Sequence, residues 1–570
     1  MAKELSIVIC GQAGQGIKTV ENLLTGIMKR SGLHVFSCKE FMSRIRGGMN
    51  STSIRVSSRR VRGFVEKMDI LIPLDPGGIE HVRERISGDT LIIGDLENID
   101  PEDLETGGSL PVALKTIARE LGNAAFSNTV AVGVLAALVG SPREVGTDFI
   151  REYFSSKGSE VADKNIAAFG RGYDEGSARR EEAGGGDRFQ LDGSNAVRDE
   201  LLMIGTEGVG LGAIAGGCNF LAFYPMSPAT GVGIFIAKQA DKFGILVEQA
   251  EDEIAAVNMV AGGWYAGARA MTTTSGGGFA LMTEGLSLAA MLETPMVIHL
   301  AQRPGPATGL PTRTGQEDLL FVLFAGHGEF PRVVYTPGSV EETFYLTREA
   351  FNLADKFQVP VFILTDQYLL DSTCNLPPPD IDDHKVIGYV VKTETSYQRY
   401  KLTEDGISPR GIPGYGKGLV TVDSDEHDES GHITEDLQLR VRMVDKRLKK
   451  LEGITGEVIP PVFFGDKDFK TLILGWGSTL PTIREALEEI GTEGIGYLHF
   501  SQVFPLWPEL IQYLDRAERT VAVENNATGQ FAKLVAMTTG RQIDGQVLKY
   551  NGLPFSREEM IDALKREVKK

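Results

Sequence analysis

The chain is 570 residues long, enough for about three domains that can each bury a core. Its 42% hydrophobic and 24% charged content is that of an ordinary globular protein, and a net charge of −19 argues against a general nucleic-acid binder, whose phosphate contacts need a basic face. No apolar run is long enough to cross a bilayer and residues 5–10 read as a strand, not a signal peptide, so a cytoplasmic protein without a membrane partner is expected.

Residues 5–10 lead into G-Q-A-G-Q-G-I-K-T (residues 11–19) and an amphipathic helix to about Arg30, with further strands at 34–37, 51–57, 70–74 and 91–94. A strand, a glycine-rich turn and a helix make an anion cradle, because free helix N–H groups and the helix dipole face the turn. The order Gly11, Gly14, Gly16 matches neither a Rossmann fingerprint nor a P-loop, so a tight turn without a ligand stands beside that reading. Downstream, residues 41–58 with Arg59, Arg60 and Arg62 form a basic cluster in an acidic chain. Such arginines suit the phosphates of a nucleotide-like cosubstrate, or else a solvated strand face or subunit contact. The cysteines, Cys10, Cys38, Cys218 and Cys374, are scattered with no C-x-x-C spacing. This chain alone therefore offers no zinc or cysteine-ligated cluster site, and buried reduced thiols are expected.

A charged, glycine-rich linker at 177–194 precedes a second alternating region. Helices are expected at 201–217, 231–243, 252–266, 284–292 and 339–357. Strands are expected at 220–223, 245–248, 269–274, 296–301 and 361–364. That alternation predicts a parallel sheet covered on both faces. An extended segment at 375–383 ends it, and the chain is then polar to about Val458 except for a helix at 435–451. His427 and His432 flank acids in a spacing that is no recognised metal pattern, so a solvated acidic loop is expected there. The last region, from about Phe463, has strands at 471–474, 496–500 and 520–524. Its loops G-W-G-S-T (475–479) and N-N-A-T-G-Q (525–530) read as turn chemistry.

Loops at the carboxyl ends of parallel strands are where such proteins bind ligands. Y-P-M-S-P-A-T (224–230) and Q-R-P-G-P-A-T-G-L-P-T-R-T (302–314) are two such loops, and V-E-Q-A-E-D-E-I-A-A-V-N (247–258) sets acids at a helix mouth. Their hydroxyls, Arg303 and Arg313, and a candidate buried acid suit a small anionic substrate and a proton-handling cofactor.

Together these motifs resemble the 2-oxoacid:ferredoxin oxidoreductases, specifically an α chain with a γ domain fused at its N-terminus, of the 2-oxoglutarate:ferredoxin oxidoreductase type. G-Q-A-G-Q-G and R-G-G-M-N-S-T-S-I-R look like the γ domain. Y-P-M-S-P-A-T, E-Q-A-E-D-E-I-A-A and Q-R-P-G-P-A-T-G-L-P-T look like the domain that holds the thiamine diphosphate pyrimidine. V-E-N-N-A-T-G-Q-F-A-K-L looks like the transketolase-type C-terminal domain. The resemblance implies an α/β protein of three α/β domains. These are a γ domain (1–180), a pyrimidine-binding domain (190–375) and a transketolase C-terminal-like domain (461–570), with a connecting segment (376–460) before the last.

The resemblance also implies roles. Glu253 should meet the pyrimidine, with Glu248 and Glu251 as alternatives in register, and Tyr224 and Pro225 should line the cofactor. Arg303 should clamp the 2-oxoacid carboxylate, with Ser227 and Thr312 hydrogen-bonding beside it; the family usually has Thr where Ser227 stands. Gly11, Gly14, Gly16, Arg44 and Arg46 are candidates for coenzyme A phosphates, and no metal is expected on this chain. No G-D-G occurs in the sequence, so a separate β subunit should bring the diphosphate and Mg2+ motif and a [4Fe-4S] cluster, in an (αβ)2 heterotetramer. The implied reaction converts a 2-oxoacid, 2-oxoglutarate first, plus coenzyme A to acyl-CoA and CO2 while reducing ferredoxin, reversible as a reductive carboxylation. A broad or pyruvate-type specificity is the alternative. A non-redox thiamine transferase or dehydrogenase subunit and a non-catalytic nucleotide-binding subunit are the rivals.

Overall fold

Residues 5–10 are buried throughout, and the strand they build, Glu4–Gln12, lies inside a sheet with a partner on each side. The computed structural model describes residues 4–42, 48–99, 108–185, 188–381 and 385–569. The chain divides into two units. One comprises Met1–Ile204, Asp371–Pro378 and Ser556–Glu558, the other Gly205–Leu370, Pro379–Phe555 and Glu559–Lys570.

In the first unit eight strands form one mixed sheet, in the order Gly108–Pro111, Leu91–Gly94, Ile70–Pro73, Glu4–Gln12, Met49–Ser57, His34–Glu40, Thr373–Leu376 and Leu201–Ile204. Helices Ile17–Arg30, Ser127–Val139 and Ser159–Ala178 contribute to its core. Residues 201–204, expected to begin a helix, are instead the strand Leu201–Ile204, paired antiparallel with Thr373–Leu376. The apolar run L-L-M-I fits either period, and tertiary pairing decides for the strand. Helix Gly205–Ala215 begins directly after it and is rich in glycine. A Cβ at Gly208 would stand 2.0 Å from Thr343 Oγ1 and one at Gly212 2.4 Å from Phe344 O, so only glycine lets helix Val340–Phe357 pack this closely.

The second unit holds a seven-stranded sheet in the order Gln502–Phe504, Val333–Tyr335, Pro360–Asp366, Met296–Gln302, Ala270–Thr274, Phe220–Phe223 and Leu246–Gln249. All its pairs are parallel except that of the edge strand Gln502–Phe504, as the alternating pattern predicts. A five-stranded sheet follows, in the order Val462–Gly465, Ile495–Phe500, Thr471–Trp476, Arg519–Glu524 and Gly545–Leu548. Apart from the antiparallel Val462–Gly465, its pairs are parallel too. Behind the larger sheet's centre, His299 is buried between the hydroxyls of Thr273 (2.7 Å) and Thr365 (2.9 Å). Burial pushes its imidazole down to about 3, so it is neutral.

The polar stretch after residue 378 is irregular but anchored by buried charges. Arg410 and Arg269 both bind Asp355, and the Arg399 guanidinium donates to Leu292 O and Glu293 O. Helix Leu437–Thr455, two residues later in start than expected, runs through Gly453 and delivers Lys446 and Lys450 to the Glu293 carboxylate. Glu435 and Asp436 precede it, and Asp436 caps the helix by accepting from Gln438 and Leu439 N–H. The loop carrying His427 is not simply solvated. His427 is fully buried against Tyr400, ring centroids 3.8 Å apart, and burial lowers its pKa. Among the described residues no group of three or more His, Cys, Asp or Glu stands ready for a metal ion. Cys10, Cys38 and Cys218 are free, buried thiols that burial pushes up to about 12, as expected of structural cysteines. Among the described residues no helix is long and apolar enough to cross a membrane.

Candidate active site

Three neighbouring strands of the seven-stranded sheet, Phe220–Phe223, Ala270–Thr274 and Met296–Gln302, end in loops at their carboxyl ends, where parallel sheets bind ligands. The middle loop is S-G-G-G (residues 275–278), opening the short helix Gly276–Leu281. Each of its glycines faces a different partner. A Cβ on Gly276 would stand 2.5 Å from Asp318 Oδ2 and 2.6 Å from Oδ1. On Gly277 it would meet Ala307 O at 3.7 Å and Met226 Sδ at 4.0 Å. On Gly278 it would stand 2.3 Å from Thr274 Oγ1 and 2.5 Å from Glu253 Oε1. The glycine turn thus brings together the Y-P-M-S-P loop, the R-P-G-P-A loop, Glu253 and Asp318. The sequence reading passed over it. Three successive glycines one residue beyond an expected strand were the available signal.

Glu253 is the first residue of helix Glu253–Tyr265, and Asp252 caps that helix by accepting from Ala255 N–H at 2.7 Å. Glu253 is 3% exposed, whereas the alternatives Glu248 and Glu251 are exposed. Its Oε1 is buried with no hydrogen-bond partner. Burial raises the carboxyl's pKa, its own backbone N–H opposes this, and Asp252 adds to it. A buried carboxyl with an unsatisfied oxygen above a glycine cradle is open to a ring nitrogen, so the residues present fit an aminopyrimidine.

The Arg303 guanidinium follows the strand Met296–Gln302. Its Nη1 donates to Ser227 O at 2.7 Å, which ties the 302–314 loop to the Y-P-M-S-P loop. Its Nε is buried and unpartnered. Burial lowers the guanidinium's pKa and Asp318 raises it. The loop folds on itself through Leu310 N–H donating to Pro304 O at 3.0 Å, with Thr312 half-buried two residues on. Tyr224 and Ser227 are exposed and Pro225 is half-buried. Ser227 thus meets Arg303 through its backbone carbonyl.

Two motifs read only as turns in the sequence hold the next segment. Gln316 Nε2 donates to Trp476 O at 3.0 Å, and Gln316 also exchanges backbone and side-chain bonds with Asn525. Gln530 Oε1 accepts from Leu320 N–H at 2.9 Å while its Nε2 donates to Glu317 O at 2.6 Å. G-W-G-S-T and N-N-A-T-G-Q thereby clamp the backbone on both sides of Asp318.

In the first unit the glycine loop borders a cavity of about 440 Å³, lined by Gly14, Gly16, Thr19, Asp95, Lys115 and Asn128 among others. Gly14 (φ 92°) and Gly16 (φ 82°) hold left-handed backbone at the start of helix Ile17–Arg30. Gly11, by contrast, lies within the strand Glu4–Gln12. Arg44 and Arg46 lie outside the described residues. Of the other arginines, Arg55 is buried on Glu4 and Gly63 O, and Arg60 binds Glu200 and Asn375 O, so these two have structural tasks.

Comparison with known proteins matches both units. The family model "Pyruvate flavodoxin/ferredoxin oxidoreductase, thiamine diP-bdg" covers residues 211–446, and "Pyruvate ferredoxin/flavodoxin oxidoreductase" covers residues 6–175. A 2-oxoacid:ferredoxin oxidoreductase subunit alpha from Sulfolobus sp is 34% identical over 99% of this chain and 97% of its own. The 2-oxoglutarate synthase subunit KorA from Archaeoglobus fulgidus is 33% identical over 64% of this chain and 99% of its own. A solved structure of the 2-oxoglutarate:ferredoxin oxidoreductase from Magnetococcus marinus, with 2-oxoglutarate, coenzyme A and succinyl-CoA bound, is also similar. It superposes with a TM-score of 0.93 at 31% identity, covering 99% of this chain and all of that one.

Proposed function

The chain belongs to the 2-oxoacid:ferredoxin oxidoreductase α subunits, thiamine-diphosphate-dependent oxidoreductases, and from that premise we propose that it converts 2-oxoglutarate and coenzyme A to succinyl-CoA and CO2 while reducing ferredoxin. A separate β subunit, bringing Mg2+ and a [4Fe-4S] cluster, completes the site in an (αβ)2 assembly. The choice of 2-oxoglutarate is supported by the full-length likeness to the Magnetococcus marinus enzyme. The name of the Sulfolobus relative favours a second reading, a pocket open to several 2-oxoacids.

Bound thiamine diphosphate supplies a thiazolium carbon that becomes a nucleophile on losing its proton. Glu253 would hold the pyrimidine by a hydrogen bond from its carboxyl, with Tyr224 and Pro225 lining the ring. The observation that carries this role is the buried, unpartnered Glu253 Oε1 above Gly278. Burial raises its pKa, which favours the protonated carboxyl that a proton-shuttling group needs. Arg303 offers a planar fork to the substrate carboxylate, with the Ser227 and Thr312 hydroxyls beside it. The cavity at Gly14 and Gly16 takes coenzyme A, with Gly11, Arg44 and Arg46 as further candidates. On this reading residues 1–180 are the γ domain, 190–375 the pyrimidine-binding domain, 376–460 the connecting segment and 461–570 the C-terminal domain.

The test is anaerobic dye reduction by this chain copurified with its β subunit, using 2-oxoglutarate, pyruvate and branched 2-oxoacids, with and without coenzyme A. Coenzyme A-dependent reduction selective for 2-oxoglutarate is expected. Equal rates with several acids replace it with the permissive reading, and no reduction by a thiamine- and cluster-loaded complex overturns both.

A further inference from the structure

Asp318 lies on the segment that follows the substrate loop and is tied to the strand end that carries Arg303. Its backbone N–H donates to Gln302 Oε1 at 3.0 Å, and Gln302 is the residue immediately before Arg303. Gln316 and Gln530 fix the chain on either side. The carboxyl is thereby delivered to Gly276, where a Cβ would stand 2.5 and 2.6 Å from its two oxygens.

The arrangement leaves one atom of each group without a hydrogen bond. Asp318 Oδ2 and Arg303 Nε are both buried without a hydrogen-bond partner, and the guanidinium spends Nη1 on Ser227 O. Asp318 is half-buried as a residue but its Oδ2 is shut off from solvent, and an ionised carboxylate held so is costly unless paired, whereas a neutral acid is not. Burial and then Glu317 push the Asp318 carboxyl up to about 7, against the lowering pull of Arg303. These are the charged neighbours: Glu317 from its own segment, Arg303 from the strand end and, two glycines along the turn, Glu253. Gln530, which binds Leu320 N–H and Glu317 O on the adjoining segment, is uncharged.

We propose that Asp318 is a positioning residue for the substrate carboxylate: neutral, it leaves Arg303 free to bind that carboxylate, and ionised, it competes for the guanidinium and repels the substrate. The proposal rests on the reading of Arg303 as the carboxylate's partner. Substrate carboxylates are already ionised near neutrality, so pH acts here through the protein. Asp318 is protonated below about 7 and ionised above it, so affinity for the 2-oxoacid falls as pH rises.

The experiment measures KM and kcat for the 2-oxoacid from pH 6 to 8.5 in the assembled, thiamine-saturated complex. The comparison is between wild type, Asp318→Asn, Glu317→Gln and Arg303→Gln. The wild-type KM should rise about tenfold across neutrality, the factor that ~1.4 kcal/mol represents. Asp318→Asn should hold KM flat near the wild-type low-pH value, and Glu317→Gln, which removes a charge that raises the Asp318 pKa, should move the inflection to lower pH. A wild-type KM that does not change with pH overturns the proposal. So does an Asp318→Asn profile with the wild-type rise or, should that variant fail to assemble, an inflection unmoved by Glu317→Gln. Arg303→Gln separates the two readings. Unchanged KM in that variant removes Arg303 from the substrate, whereas a raised KM together with an unflattened Asp318→Asn profile rejects only the role of Asp318.

Discussion

Gly278→Ala tests the glycine cradle most sharply. The new methyl would sit 2.5 Å from Glu253 Oε1, 2.8 Å from Glu253 Cγ and 2.3 Å from Thr274 Oγ1. Ordinary carbon contacts are about 3.5–4.0 Å, so both groups must retreat by about 1 Å. Thr274 is a fully buried strand residue with little room to yield, and the Glu253 side chain is displaced whichever way Thr274 gives. A displacement of about 1 Å in a positioned catalytic group costs about 100-fold in rate, or ~2.7 kcal/mol. Gly277→Ala is the internal control, because its methyl meets only Ala307 O and Met226 Sδ at 3.7 and 4.0 Å. The assay is coenzyme A-dependent dye reduction by the assembled complex, with melting temperature checking the fold. The expected result is a large loss in Gly278→Ala beside a small one in Gly277→Ala, both folded. Near-wild-type turnover by a folded Gly278→Ala complex would refute the cradle.

Arg303→Lys keeps the charge but loses the planar fork, so KM for the 2-oxoacid should rise about 10- to 100-fold with a smaller change in kcat, measured by steady-state kinetics. Gly16→Ala places a methyl 2.3 Å from Asn128 Nδ2 at a φ of 82°. It should raise KM for coenzyme A about tenfold while leaving KM for the 2-oxoacid alone. Glu293→Gln breaks a buried cluster in which Lys450, Lys446 and Arg399 outweigh burial and hold the carboxyl well below its usual range. A carboxyl with a depressed folded-state pKa stabilises above its unfolded value and loses that contribution as pH falls. Denaturant unfolding should therefore show Glu293→Gln weaker by ~3–5 kcal/mol at pH 7, with the gap narrowing below about pH 4.

Much of the site was legible because its parts are local. The helix expected over 252–266 sets Glu253 at its mouth, where the structure starts it with Asp252 as cap, and an apolar strand before R-P-G-P fixes Arg303 at a strand end. Burial distinguishes Glu253 from Glu248 and Glu251, and burial is a tertiary property no spacing reports. The glycine turn and Asp318 were missed for a related reason. Glycines and a lone aspartate acquire meaning only from what stands opposite them, here Glu253 Oε1 and Gly276. The clamp on Gln316 joins residues more than 150 positions apart, which turn chemistry in G-W-G-S-T cannot foretell. Likewise Leu201–Ile204 became a strand because a partner arrives at Thr373, and His427 was buried by Tyr400, neither visible in local pattern.

The central claim, that this chain supplies the acid for the thiamine pyrimidine from Glu253, is tested most directly by single substitutions in the assembled complex. Glu253→Gln, Glu251→Gln and Glu248→Gln would each be assayed for 2-oxoacid-dependent dye reduction at saturating thiamine diphosphate. Loss of general acid–base work costs about 10²- to 10⁴-fold, and only Glu253→Gln should show it. A Glu253→Gln complex that turns over like wild type, with the loss falling on Glu248→Gln or Glu251→Gln instead, would contradict the account.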